Sequence, residues 1–287
     1  MAIILDGKGT AAKINEATKL KANELTAQGV QPGIAVILVG DDPASQIYTR
    51  NKHRKAVNLG MKSILKKFPS SVSQDEILNE VEKLNQDDSI HAILIQLPLP
   101  AQIDATTVTN AIDPKKDVDG FSSVNLGKLF GNQAGNYPVA CTPKGIMTIL
   151  REYKIDLSGK DVVVVGRSVL VGRPVAALMI NQDATVTLAG IKTNNLKALT
   201  KTADIIVVAT GVANLISGND LKEGAVVIDV GINRGEDGKL TGDVDFESAS
   251  KVASAITPVP GGVGPMTIAT LMQQTVELAQ WSINNGK

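Results

Sequence analysis

At 287 residues the chain is long for one domain and comfortable for two, taking roughly 150 residues per domain. Lys+Arg and Asp+Glu both number 29, so the formal net charge is zero, which argues against broad electrostatic capture of nucleic acid or an anionic membrane. A hydrophobic share of 43% supports a real core, and one Cys with two His excludes an internal disulfide and leaves almost nothing for a Zn site.

The amino terminus, MAIILDGKGTAAK, has no basic segment ahead of an apolar run and no small-residue cleavage site, so no signal peptide is expected. The longest apolar runs are of strand length, far below the ~20 residues that span a bilayer. With the single cysteine, this reads as a soluble, cytoplasmic chain. Only eight aromatics (one Trp, three Tyr, four Phe) are present, too few for the stacking platforms of a single-strand nucleic-acid binder.

The first apolar run, Gly33–Gly40 (GIAVILVG), hardly alternates, which predicts a strand buried on both faces. A helix is predicted next, starting near Pro43 and running to Leu59. On it Ser45, Tyr48 and Lys52 follow at spacings of three and four, and so share one face. The helix follows a strand whose carboxyl end is where ligands sit in open α/β sheets. Arg50, Arg54 and Lys55 surround Lys52 in sequence. The set reads either as a solvated basic face or as a lysine placed to move protons as general base or acid. Tyr-x-x-x-Lys also occurs in short-chain dehydrogenases, but there it follows the glycine-rich turn in the same domain. Here it precedes that turn by more than a hundred residues.

A second helix is predicted over Gln74–Leu84, where Ser73 and Glu76 form a capping-box pattern. A second buried strand follows over Ala92–Leu97. Gln96 ends that strand ahead of Leu-Pro-Leu-Pro100. A buried glutamine must find partners, either a backbone pair or a functional lysine. From Asp113 to Pro143 prolines and glycines are dense enough to predict loops and a domain junction. Within this stretch Lys116-Asp-Val-Asp-Gly-Phe121 offers two carboxylates, in a solvated loop or a site. Cys141 has no nearby His and reads as a small buried filler.

Beyond the junction a second βαβ series is predicted, with strands at Asp161–Gly166, Ala184–Leu188, Asp204–Thr210 and Ala225–Gly231. The first of these runs into Gly166-Arg-Ser-Val-Leu-Val-Gly172-Arg-Pro174 and then a helix. A buried strand, a glycine-rich turn and a helix start with proline in its first turn make a dinucleotide site. The glycines are spaced G-x5-G, so the usual GxGxxG fingerprint is absent. No carboxylate ends the second strand to hold a ribose. Arg167 and Lys192 could attract a 2′-phosphate instead, which favours NADP over NAD. The last segment, Ala255–Gly264, is rich in proline and glycine and leads into a helix over Met266–Trp281. Its bareness predicts that something approaches its backbone closely.

The fold class expected is therefore α/β, with two βαβ-type domains, the second a Rossmann-like doubly wound parallel sheet, and a cleft between them. The domains are expected over 1–140, completed by the C-terminal helix 266–287, and over 141–265.

Tyr48-x-x-x-Lys52, Gln96-Leu-Pro-Leu-Pro100, Lys116-Asp-Val-Asp-Gly-Phe121, Gly166-Arg-Ser168, Asp229-Val-Gly-Ile-Asn233, Gly242-Asp-Val-Asp-Phe246 and Pro260-Gly-Gly-Val-Gly-Pro-Met-Thr267 occur in this order. Over essentially its whole length the chain resembles the bifunctional 5,10-methylenetetrahydrofolate dehydrogenase/cyclohydrolase family. The resemblance implies NADP-dependent oxidation of the methylene compound to the methenyl cation, then hydrolysis to 10-formyltetrahydrofolate. It implies Lys52 as the catalytic lysine, Gln96 holding its amine, Tyr48 against the folate, and Asp119 accepting from the pterin. Ser45 and the segment Pro260, Gly261, Gly262, Val263, Gly264 would line the folate site. Gly166, Arg167, Ser168 and Gly172 would take the cofactor phosphates, with Ile191 and Lys192 at the 2′-phosphate and Ile232 by the nicotinamide ribose. It also implies a homodimer through the cofactor domains.

One departure stands out. Where the family commonly has Cys-His-Ser-x-Thr, this chain has Ala189-Gly-Ile-Lys-Thr193, so Ile191 replaces a serine that helps bind the 2′-phosphate. Weaker cofactor binding, a drift toward NAD, or substitution by Lys192 would each follow. The alternatives to the bifunctional reading are a cyclohydrolase with weak dehydrogenase activity and, in another class, a non-catalytic dinucleotide-binding regulatory protein.

Overall fold

A computed structural model describes residues 2–235 and 238–284. It has two compact units, Lys13–Cys141 with Thr270–Lys287, and Met1–Ala12 with Thr142–Ala269.

The chain opens with β1 (Ile3–Ile4) and α1 (Gly7–Ala27). Then come β2 (Gly33–Val39), α2 (Pro43–Asn58), β3 (Lys62–Phe68), α3 (Gln74–Gln86), β4 (Ala92–Ile95), α4 (Ala105–Asn110) and α5 (Ser123–Phe130). β3, β2 and β4 form a parallel sheet in that order. All of β2 and β4 is buried, as their unbroken apolar runs require. Successive residues of β2 feed two separate cores. Ile34 and Val36 pack with Leu94 against Ala22 and Leu25 of α1 and against Leu271, Met272 and Val276 from the far end of the chain. Ala35, Ile37 and Val39 pack with Ile93 against Ile77, Val81 and Leu84 of α3. This alternation is the period-2 geometry of a strand covered on both faces.

Two elements depart from the sequence pattern. β3 (KSILKKF) carries three lysines and is only partly buried, because it is the sheet edge, where lysines also discourage pairing with another chain. α5 stands inside the stretch whose glycines and prolines predict loops. Its start is fixed by Ser122, whose hydroxyl accepts from Asn125 N at 3.3 Å, and Gly127 disguises it in sequence. The capping box of α3 is present, with Glu76 N donating to Ser73 Oγ and Ser73 N to Glu76 Oε2.

After α6 (Cys141–Glu152) the second unit runs β5 (Asp161–Val165), α7 (Gly172–Ile180), β6 (Thr185–Ala189), α8 (Leu196–Thr200), β7 (Ile205–Val208) and β8 (Val226–Asp229). It continues with β9 (Asn233–Arg234), β10 (Leu240–Thr241), α9 (Phe246–Ala249), β11 (Ala255–Ile256) and the start of α10 (Val263–Asn284), whose residues from Thr270 on belong to the first unit. Six parallel strands order as β1-β11-β8-β7-β5-β6, with β9 and β10 a separate antiparallel pair. From β5 the chain first steps to β6 on one side, then to β7 and β8 on the other. The carboxyl end of β5 is therefore the switch point of a doubly wound sheet, the crevice where such folds take their ligands. Gly166 follows it directly.

Candidate active site

Asp42 starts α2 by accepting from Ser45 N at 2.7 Å, with Pro43 in the first turn. The cap sets the rotation of the helix about its axis. Ser45 is buried, Tyr48 is 46% exposed and Lys52 is half-buried, all on one side. Lys52 Nζ donates to Gln96 Oε1 at 3.0 Å. Gln96 is itself held at two points. Its backbone N donates to Ile37 O at 2.9 Å, and its side-chain Nε2 donates to Leu97 O at 2.8 Å. The second bond fixes which way the amide faces, so its oxygen must point at the lysine. Of the two partners open to Gln96 from sequence, it therefore has both.

The two carboxylates of Lys116–Phe121 have different fates. Asp117 is buried and accepts from Phe121 N, Ser122 N and Asn125 Nδ2 at 3.3, 2.8 and 2.9 Å, so it organises the turn into α5. Asp119 is partly open to solvent but enclosed by chain. Loss of water pushes its carboxyl above the ordinary carboxylate range, and the nearby Asp117 adds to the rise. The Lys52 ammonium and a hydrogen bond from the Cys141 thiol oppose it. Cys141 is buried, as its lack of a histidine partner predicts, but its thiol also reaches Val118 O at 3.4 Å. Gln274, fully buried, donates to Val118 O at 2.5 Å and Val139 O at 2.9 Å. These two residues fix the backbone that carries Asp119. Neither stands out in sequence beyond being a polar position on an apolar helix face and a lone thiol.

In the second unit the turn after β5 is bare where it must be. Gly166 has φ +134°, and a Cβ there would run into Ala209 O, while a Cβ on Gly172 would run into Gly166 O. No side chain caps the amino terminus of α7, and Ser168 instead accepts from Val171 N at 3.1 Å. Arg173 N donates to Ser168 O at 3.0 Å and Val175 N to Val171 O at 2.9 Å, and Pro174 has no N–H, which leaves Gly172 to present a backbone N–H to an anion at the positive end of the helix. The Arg167 side chain lies over the end of β6, where a Cβ on Gly190 would meet its Nε at 3.0 Å. Arg167 is thereby brought to the segment holding Ile191, 60% exposed, and the exposed Lys192.

The Pro260–Gly264 segment is approached closely, as its composition predicts, and part of what approaches is α1. A Cβ on Gly7 would collide with Gly262 O, and Lys8 N donates to Gly261 O at 2.8 Å. Gly262 and Val263 are buried, whereas Pro260 is exposed. On its other side Gly264 neighbours Ile232, whose Cδ1 would lie 3.7 Å from an added Cβ.

Ile232 sits in a loop held by two buried carboxylates that the sequence does not reveal as such. Asp229 accepts from Gly231 N, Asp243 N and Val244 N at 2.9, 3.0 and 2.9 Å. Asp243 accepts from Thr210 N, Thr210 Oγ1, Gly211 N and Asn233 Nδ2 at 2.6, 2.9, 2.9 and 2.8 Å. Burial pushes Asp229 up to about 6, against the pull of its three backbone donors, and Asp243 adds to the rise. A folded value above the ordinary 3.8 means that protonation favours the folded unit. That contribution is complete below pH 3.8 and lost as the pH rises through about 6. The carbon-13 resonance of the Asp229 carboxyl is expected to titrate near pH 6. A midpoint in the ordinary carboxylate range would overturn the desolvation argument.

Among the described residues no group of three or more His, Cys, Asp or Glu is placed to hold a metal ion.

The family model described as tetrahydrofolate dehydrogenase/cyclohydrolase, catalytic domain, matches residues 5–119, and the one described as its NAD(P)-binding domain matches 140–283. Over 282 residues the chain is 66% identical to bifunctional protein FolD of Limosilactobacillus reuteri (strain DSM 20016), covering 98% of this chain and 99% of that one. The bifunctional enzyme FolD, methylenetetrahydrofolate dehydrogenase/cyclohydrolase, from Campylobacter jejuni aligns with a TM-score of 0.97 and 47% identity over 98% of this chain and 100% of that chain. The Trypanosoma brucei methylenetetrahydrofolate dehydrogenase-cyclohydrolase, solved with NADP cofactor and inhibitor, aligns at 0.94 and 36%, covering 98% of each. The chain belongs to the tetrahydrofolate dehydrogenase/cyclohydrolase family.

Proposed function

We propose that this enzyme oxidises 5,10-methylenetetrahydrofolate with NADP and hydrolyses the methenyl product to 10-formyltetrahydrofolate. The observation that carries the reading is the Lys52 amine held at 3.0 Å by an oriented glutamine, in the same unit as a desolvated Asp119. The hydride step needs no protein base, because a ring nitrogen lone pair of the folate stabilises the developing cation, so the protein supplies position. NADP supplies the hydride acceptor when bound. Hydrolysis does need proton transfers as water adds to the methenyl carbon and the ring opens. Lys52 moves those protons, with Gln96 Oε1 taking one N–H and so aiming the nitrogen. Asp119 accepts from the amino group and ring N–H of the pterin, and Tyr48, with its exposed ring, packs on the folate beside Ser45.

The bare Gly166 turn, the Ser168 hydroxyl and the Gly172 N–H at the start of α7 fit a diphosphate, and the Arg167 guanidinium beside Gly190 fits a 2′-phosphate. Arg167 and Lys192 therefore take over from the serine that Ile191 replaces. Within the second unit, Ile232 stands at the nicotinamide ribose, beside Gly264. The decisive experiment is a spectrophotometric assay with methylenetetrahydrofolate and each dinucleotide in turn. Faster turnover with NADP is expected. Arg167→Ala should raise the NADP KM by roughly 10–100-fold, the worth of one charge-assisted hydrogen bond, with the NAD KM unchanged. Equal effects on both would remove the 2′-phosphate assignment.

The enzyme works as a homodimer in the cytoplasm. The edge strand β6 supports the dimer, since among the described residues no strand pairs with its outer side, and Leu188 and Ile180 are 38% and 53% exposed. Sedimentation of a Leu188→Lys variant as a monomer is the matching test.

A further inference from the structure

At the amino-terminal ends of β2 and β4, opposite the strand end that carries Gln96, the first unit holds a pocket of about 280 Å³. Its lining includes Trp281, the only tryptophan in the chain, and Tyr137, together with His91, Lys115, Lys116 and Lys128. The catalytic reading above uses none of these residues.

The basic groups are differently occupied. Lys116 Nζ donates to the carbonyls of Leu84, Asn85 and Asp87 at 3.1, 2.7 and 2.9 Å, which uses all three of its N–H bonds to close the end of α3. His91 Nδ1 accepts from Gly33 N at 3.1 Å, so the neutral ring carries its proton on Nε2 and keeps a donor there. Lys115 is exposed and Lys128 half-buried, and neither amine has a carboxylate within ion-pair distance among the described residues. On the acidic side Asp113 already accepts from Lys115 N at 2.8 Å, and Asp88 is exposed. The lining thus carries three ammonium groups, Lys115, Lys116 and Lys128, against two carboxylates, Asp88 and Asp113, an excess of one positive charge.

Burial draws three of the lining groups toward their neutral forms, His91 and Lys116 downward and Tyr137 upward. Several desolvated titratable groups converging on one concave, partly apolar wall mark a ligand site better than a solvated surface. An aromatic wall in an aromatic-poor chain calls for a planar body, and the free lysines call for an anion.

We propose that this pocket is a second ligand site, which takes a small aromatic carboxylate with its ring against Trp281 and Tyr137 and its carboxylate on Lys128 and Lys115. Because Trp281 is the sole tryptophan, its emission reports on this pocket alone. The test titrates the full chain with benzoate and, separately, with the neutral isostere benzamide, each with and without saturating NADP. Expected is a saturable change with benzoate that NADP leaves unaltered, and binding of benzamide weaker by tenfold or more. Lys128→Gln should lose at least tenfold in benzoate affinity and leave dehydrogenase and cyclohydrolase rates unchanged. No saturable change at millimolar benzoate, equal binding of benzamide, displacement by NADP, or an unaltered Lys128→Gln affinity would each overturn the proposal.

Discussion

Replacing Lys52 by methionine is expected to slow hydrolysis of the methenyl compound roughly 10²–10⁴-fold, the usual worth of a positioned proton donor or acceptor, with NADP affinity unchanged. Methionine nearly matches the length and girth of the lysine stem, so packing around the half-buried side chain should survive. What disappears is the only group at that position able to give and take a proton. The substitution also strands Gln96 Oε1, at a cost of about 1–3 kcal/mol if it stays dry. Gln96→Leu in the same background separates the two effects. Restored stability without restored hydrolysis assigns the loss to the amine, whereas recovered hydrolysis in the double variant would mean that Lys52 served only to hold Gln96. Full activity in Lys52→Met would sink the assignment. Normal dinucleotide binding with no activity in the unmutated chain would favour the non-catalytic reading instead.

What the sequence exposes and what it hides follows from where each signal is local. β2 and β4 are legible because burial on both faces forbids polar residues along the run, and α2 because Pro43 and the Tyr48–Lys52 spacing lie within one helix. β3 is not, since an edge strand keeps its lysines in water and so imitates a loop. β1 is two residues long, and its partner, β11, lies some 250 positions away. The same limit applies within the site. Spacing cannot tell Asp117 from Asp119, because the difference lies in who answers each carboxylate. Two donors on the following turn and one on α5 capture the first, while the second is left near Lys52. The glycines near Ile232 were a usable signal. A Cβ on Gly231 would run into Asp243, and one on Gly242 into Asp229, so each carboxylate needs the glycine beside the other. Read as a reciprocal pair, Asp229-Val-Gly and Gly-Asp-Val specify two strand-end turns clasped together.

That clasp makes Asp243→Ala the most destabilising single change expected in the second unit. The side chain is fully buried and gathers four donors from two separate segments, the Thr210–Gly211 turn and Asn233 of β9. Each donor left dry costs about 1–3 kcal/mol. Water entering the space freed by the carboxylate recovers part of this, so a net loss of about 3–5 kcal/mol is expected, as for other broken buried polar networks. A single unfolding free energy is poorly defined for a two-unit chain. Native-state hydrogen exchange at the amides of Val207 and Ile228, inside β7 and β8, reads the second unit directly. Exchange there should quicken by a factor of roughly 10²–10³ or more, while amides of β2 in the first unit keep their protection. Asp243→Asn separates charge from contact. It retains one acceptor oxygen, relieves the repulsion on Asp229, and should lose less than half as much. If Asp243→Ala shifts exchange by less than about tenfold, equivalent to 1.4 kcal/mol, the carboxylate is not what holds these segments. The position of Ile232 beside Gly264 would then have to come from the strand ends alone.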